Sequence, residues 1–420
     1  MNITAAEAGR AAPAPDGPRA RLPLLDVLRG TAILGTLATN IWIFAAPGAE
    51  FGLLSGSPQF ADLPGPVSDP SLGAAAEAVM RFAANGKFYA LLALLFGAGL
   101  AVQFGSAARR RRRWPGRYTW RALFLFAEGA AHFVLVFAWD VLMGYAVTSL
   151  LVAWLLTRSR RVRAAAMWCA GAFHVAVMGL LTLALAALPG GTETGPSPEV
   201  VRLYAEGGYT EQVAERLQNA AVLRMEPVLA FALMVFLFLL GVRLLRAGAF
   251  DPGAAGAALR LRLLAWGLGA GVPLNVATTL AGDAFVLVDR YVAAPVVALG
   301  LVGLIGTLLD RFGGPDTPGP VAGPLACLGR TAMSGYVLQN VLAMLLCYGF
   351  GLGLASRLAG SGPWWVIGLW AGICLVLLAG SVLWLRRFGR GPLEAVQKAV
   401  LDRIPERERK AQGMRPTAGR

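Results

Sequence analysis

"RLPLLDVLRGTAILGTLATN", residues 21–40, opens the first long apolar run of the chain and carries Asp26, Arg29 and Asn40 within it. Crossing a hydrocarbon layer of about 30 Å takes roughly 20 apolar residues in a helix, and the run continues to residue 46. The whole chain has the same character: of its 420 residues 56% are hydrophobic and only 15% charged, with a mean hydropathy of +0.60. A water-soluble core cannot bury that much apolar surface. Runs of comparable length recur near 88–108, 118–138, 140–157, 164–188, 226–245, 261–281, 290–309, 326–352 and 364–385. The fold class expected is therefore all-α, a polytopic integral membrane protein of about ten transmembrane helices.

The formal charge of +14 resembles that of a nucleic-acid binder, but the Lys and Arg residues cluster in short turns such as "ARRRRRW", "TRSRRVR", "GVRLLRAG" and "WLRRFGR". With the spans above, 30 of the 38 lie on one side and 7 on the other. Positive residues collect on the cytoplasmic side, so both termini are expected in the cytosol, the partner is the lipid bilayer, and nucleic acid is excluded. Residues 1–20, rich in Ala and Pro, read as a disordered tail, 21–390 as the transmembrane domain, and 391–420 as a charged cytosolic tail. Outer loops fall at 47–87 and 189–225, the second with a short amphipathic helix pattern able to cap a cavity from outside. Residues 310–324 read as a Gly and Pro linker. Cys169, Cys327, Cys347 and Cys374 lack metal or disulfide spacing and read as small core residues. No metal site is expected. The phrases "FGAGL" and "GFGLGL" lack the strand and helix context of phosphate loops and point to close helix packing.

Charges at bilayer depth cost about 3 kcal/mol or more and normally face a protein-lined or wet interior. Asp26 and Arg29, three apart, can pair on one helix face; this is either a helix-start ion pair or part of a binding site. Asn40 follows Arg29 by eleven residues, on the same stripe and about 16 Å along the axis. Arg121, Glu128 and His132 share one face of the third run, and Asp140 and Tyr145 start the fourth. His132 has a carboxylate one turn away, which makes it a candidate general base oriented by Glu128; His174, with only apolar neighbours in sequence, is a structural residue. Arg330, Tyr336, Gln339 and Asn340 extend a polar interior in the ninth run. Lys87 sits at an outer edge, where a lysine snorkels.

Five phrases in order, "LDVLRGTAILGTLATNI", "GKFYALLALLFGAGL", "AHFVLVFAWDVLMGYA", "CLGRTAMSGYVLQ" and "WLRRFGRGPLE", resemble the YeiB-like family of bacterial cytoplasmic-membrane proteins, domain of unknown function 418. The resemblance runs nearly end to end. At the first helix that family is similar to the transmembrane acyltransferases, which include bacterial O-acyltransferases of surface sugars and the lysosomal heparan glucosaminide acetyltransferase. In the bacterial enzymes an Arg is followed by ten residues and a His. Here Arg29 is followed by ten residues and Asn40, as in the heparan-modifying enzymes, but no His follows in residues 41–87. The resemblance thus implies that His132 takes the base's place.

The expected function is acyl transfer from a cytosolic thioester to an acceptor near the outer face. Asp26, Arg29, Arg121, Asp140, Arg330, Tyr336 and Gln339 would bind substrate, with His132, Asn40 and Glu128 catalytic. Acyl-CoA would be a diffusible donor, with no bound cofactor, and the acceptor a small molecule, sugar or lipid. The alternatives are a small-molecule transporter, in which the same groups relay protons or bind substrate, and a non-catalytic membrane protein.

Overall fold

The computed structural model describes residues 22–53, 71–187, 195–313 and 319–404, so the tail expected at 1–20 lies outside the described residues. Among those described, every long element is a helix and no strand occurs. Helix α1 (Pro23–Ala45) starts on a proline, whose missing N–H is one the first turn leaves unpaired anyway, and carries Asp26 near its positive end. Ser71 caps α2 (Leu72–Ala84), its hydroxyl accepting from the Ala74 N–H at 3.1 Å. A break at Asn85 and Gly86 precedes α3 (Lys87–Arg109). Gly86 has φ +69°, and a Cβ there would stand 2.4 Å from the Arg290 carbonyl oxygen, so only glycine fits.

The chain continues through α4 (Arg117–Leu135), α5 (Leu142–Leu155) and α6 (Arg160–Ala187) to a cap of two short helices, α7 (Pro198–Glu206) and α8 (Tyr209–Gln218). It re-enters the bundle as α9 (Phe231–Arg246), α10 (Ala254–Gly269), α11 (Gly271–Leu280) and α12 (Ala294–Phe312). Last come α13 (Gly319–Arg330), α14 (Ala332–Cys347), α15 (Trp364–Phe388) and α16 (Pro392–Asp402). Helix α1 packs against α3, α13, α14 and α15, while α3 packs in turn against α9 and α12.

Six helical stretches are long and apolar enough to cross a membrane, seven if the pair Ala220–Leu229 and Phe231–Arg246, bent by 42°, forms one span. The other expected spans are helical but differ in kind. Helices α5 and α14 have 14 and 16 residues, about 21–24 Å of rise, and α4 distributes Arg121, Glu128 and His132 along its length. Helix α6 turns Phe173 and Leu180 outward, 65% and 69% exposed, as a lipid-facing helix does. Cys169, expected in the core, is exposed on the same helix. The inner linker read at 310–324 is largely helical instead: α12 runs to Phe312 and α13 starts at Gly319, with 314–318 outside the described residues. The ninth run is two helices meeting at Thr331, and the C-terminal tail begins as α16, packed on α4 and α14.

Glycine sets a close helix crossing. A Cβ on Gly97 would lie 2.0 Å from the Phe238 carbonyl oxygen, and one on Gly241 2.0 Å from that of Leu94, so α3 and α9 touch backbone to backbone. Gly241→Leu is expected to cost about 3 kcal/mol, the upper end of overpacking, because a carbonyl cannot swing aside as a side-chain tip does. Thermal unfolding of the purified protein in detergent measures it; an unchanged midpoint would mean that the crossing tolerates a wider spacing.

Candidate functional site

Helices α1, α3, α4, α5, α13, α14 and α16 surround a cavity of about 340 Å³. Arg29, Arg121 and Arg330, from three separate helices, all line it, with Asp26, Glu394 and Tyr336. Arg29 donates to Asp26 at 3.2 Å, the expected i, i+3 pair. Arg330 donates to the Gly389 carbonyl at 3.4 Å, and its buried Nε has no partner among the described residues. From α16, Glu394 closes the start of α14: one carboxylate oxygen accepts from the Met333 N–H at 2.9 Å and the other from the Ser334 hydroxyl at 2.5 Å. Outward from this cavity lies a groove of about 1100 Å³ lined by Arg110, Arg112, Arg113, Arg390 and Lys398, which shares Arg121, Arg330 and Glu394 with it. Together they form a basic vestibule, volume and charge suited to a phosphate-bearing small molecule.

Tyr336 forms the deep end of the cavity and also lines a second, outer one of about 40 Å³ with Asn40, Trp139, Glu226 and Arg290. Its hydroxyl donates to Asp140 at 3.3 Å, and its ring centroid is 5.3 Å from that of His132. One residue beyond Gln339, Asn340 joins the two residues singled out most strongly in the sequence. Asn40 donates to the Asn340 side-chain oxygen at 3.2 Å, and the Asn340 amide nitrogen lies 3.0 Å from His132 Nε2. In this arrangement Nε2 accepts and the ring proton sits on Nδ1. The neighbouring Gln339 donates to Thr36 at 3.2 Å, which pins α14 to α1 along the same stripe.

Other expectations are corrected. Glu128 does not orient His132: both its carboxylate oxygens and His132 Nδ1 are buried without a hydrogen-bond partner among the described residues. One helical turn brings side chains near each other, but their rotamers do not meet here. Asp140, expected to bind substrate, has both oxygens engaged inside the fold. One accepts from the Leu142 and Met143 N–H groups at 3.0 and 3.3 Å, capping α5, and the other from Tyr336. Lys87 does not snorkel. It is buried, donating to the Phe82 and Asn85 carbonyls. His174, read as a structural residue, is buried with its Nε2 3.1 Å from the Tyr291 carbonyl oxygen.

Two polar clusters carried no sequence signal. Beneath the cap of α7 and α8, Glu50 is fully buried and accepts from Ala138 N–H at 3.0 Å, Tyr204 hydroxyl at 2.9 Å and Arg216 Nε at 2.8 Å. Burial alone would lower the affinity of Arg216 for its proton, but Glu50, then Tyr204 and Tyr348, raise it above the ordinary arginine value. Beside the outer cavity, Arg290 donates to Glu226 and to Asn85, and Asn85 donates to Asp289, which also accepts from Asn275, Thr278 and Thr279. No motif marks these residues in the sequence, and partners such as Glu50 and Arg216, or Asn85 and Arg290, come from distant segments.

Residues 244–403 match the family described as Protein of unknown function (DUF418). The chain is similar to the uncharacterized protein YeiB of Escherichia coli, 29% identical over 400 residues that cover 88% of this chain and 93% of the relative. It is also similar to the uncharacterized protein YxaH of Bacillus subtilis, 24% identical over 396 residues covering 89% and 92%. No solved structure matches the chain significantly. These matches bear out the YeiB-like, DUF418 resemblance read from the sequence.

Proposed function

We propose that this chain, similar to the YeiB-like proteins, crosses a bacterial cytoplasmic membrane ten times, keeps both termini in the cytosol, and moves an acyl group from a cytosolic thioester to a small-molecule, sugar or lipid acceptor near the outer face. One observation carries the reading: a three-arginine vestibule at the inner end meets, through Tyr336, the hydrogen-bonded trio of His132, Asn340 and Asn40. Arg29, Arg121 and Arg330 hold the donor's phosphates by charge-assisted hydrogen bonds. The apolar walls, Leu92 and Leu95 among them, receive its acyl chain. The acceptor hydroxyl or amine displaces the Asn340 amide from His132 Nε2 and gives up its proton there as its oxygen or nitrogen bonds to the thioester carbonyl carbon. The carbon–sulfur bond breaks, and the thiolate leaves with the proton from Nε2. Asn40 aims an amide N–H at the carbonyl oxygen as charge develops on it.

A second reading has one observation in its favour: Tyr336 lines both the inner and the outer cavity, as a gate residue in a transporter would. Purified protein in liposomes separates the two. Transfer of a labelled acyl group from a thioester to an acceptor, with release of free thiol, supports the enzyme. Gradient-driven uptake without any transfer would end that reading in favour of transport.

A further inference from the structure

The seam between α6 and α9 holds a third basic feature, away from the vestibule. A groove of about 700 Å³ is lined by Arg160 and Arg163 from the start of α6 and by Arg243 and Arg246 from the end of α9, and among the described residues no Asp or Glu lines it. Arg163 is anchored by donating to the Leu156 and Arg158 carbonyls at 3.2 and 2.6 Å, which orients its guanidinium without neutralising it. Above the arginines the wall is apolar: Met167 and Leu239, both nearly fully buried, line the groove. Beyond it α6 exposes Trp168 and Phe173. The cytosolic preference for positive residues explains why arginines are present at this end. It does not explain why two from each helix face one groove with no acidic partner, when Arg260 pairs with Asp310 at 2.7 Å.

We infer that this groove binds the headgroup of an anionic phospholipid from the inner leaflet, its acyl chains lying along the apolar face of α6. Basic pockets between helices on the cytoplasmic side recognise such headgroups. Each phosphodiester takes a pair of guanidinium groups, so four arginines match a headgroup with two phosphates, that of a diphosphatidylglycerol. The inference rests on the membrane-spanning reading proposed above, and it concerns neither the vestibule nor the reaction.

The full chain is reconstituted in phosphatidylcholine nanodiscs, in the same discs doped with diphosphatidylglycerol or with phosphatidylglycerol at equal charge, and in undoped discs with inorganic pyrophosphate in the buffer. Thermal unfolding is followed in each. Diphosphatidylglycerol is expected to raise the midpoint more than phosphatidylglycerol does, and pyrophosphate not at all. In the double variant Arg243→Gln with Arg246→Gln the apparent affinity is expected to fall roughly 30-fold, about 1 kcal/mol for each arginine lost, whereas Lys at both positions keeps most of it. An equal response to phosphatidylglycerol, a response to pyrophosphate, or a shift unchanged in the Gln variant would overturn the assignment. Alkaline carbonate extraction keeps the premise separate. A chain washed off the membrane defeats the spanning reading, and one that stays but shows no lipid response defeats the headgroup site alone.

Discussion

Replacing Arg216 with alanine is expected to lower the stability of the protein by about 3–5 kcal/mol. Arg216 and Glu50 are both fully buried, and the guanidinium donates to the Glu50 carboxylate at 2.8 Å and to the Val134 carbonyl at 2.6 Å. Without it the Tyr204 hydroxyl and the Ala138 N–H still reach Glu50, but neither carries a compensating charge. The carboxylate is left ionic in a dry site, and that uncompensated charge makes up most of the cost. Adding Glu50→Gln to the Arg216→Ala chain removes the charge and is expected to restore a large part of the loss, so a double-mutant cycle reads the coupling directly. Thermal unfolding in detergent gives all four corners. A loss below about 1 kcal/mol for Arg216→Ala, the range of exposed ion pairs, would show that water reaches this cluster.

His132→Ala is expected to reduce acyl transfer about 10²- to 10⁴-fold, the usual contribution of a positioned acid–base group, while His174→Ala leaves it within a factor of a few. The two histidines are comparably buried, at 3% and 2% exposed, so loss of a core imidazole cannot by itself account for a difference between them. Only His132 stands in the amide chain beside Tyr336. Asn340 acts through its neighbours and is a positioning residue: Asn340→Leu strands the Asn40 amide and His132 Nε2, at about 1–3 kcal/mol for each buried group left unsatisfied. If it only supports the fold, the thermal midpoint falls and the pH profile of transfer keeps its shape. If it sets the tautomer of His132, the profile shifts as well. Transfer persisting within tenfold in His132→Ala would remove the base from the mechanism.

The legible parts of this protein were local. Hydropathy over some 20 residues located the helices, because lipid demands that each crossing satisfy its own backbone hydrogen bonds. The 100° step of the helix put Asp26 against Arg29 and aligned Arg29 with Asn40. The limits appear at the same residues. Glu128 and His132 have the spacing of a partnership and no hydrogen bond between them, since spacing specifies a face and not a rotamer. The sequence places Lys87 at an edge, but a sharp break at Gly86, close against the Arg290 backbone, turns it inward.

By itself the sequence determined an all-helical, apolar bundle, because periodicity and hydropathy act over one or two helical turns. Only the tertiary structure decided which polar residues meet. Asn40 and Asn340 are 300 positions apart, and Glu50 and Arg216 are 166. Such contacts exist only once helices distant in the chain have packed, and no local pattern records the partner that packing will supply.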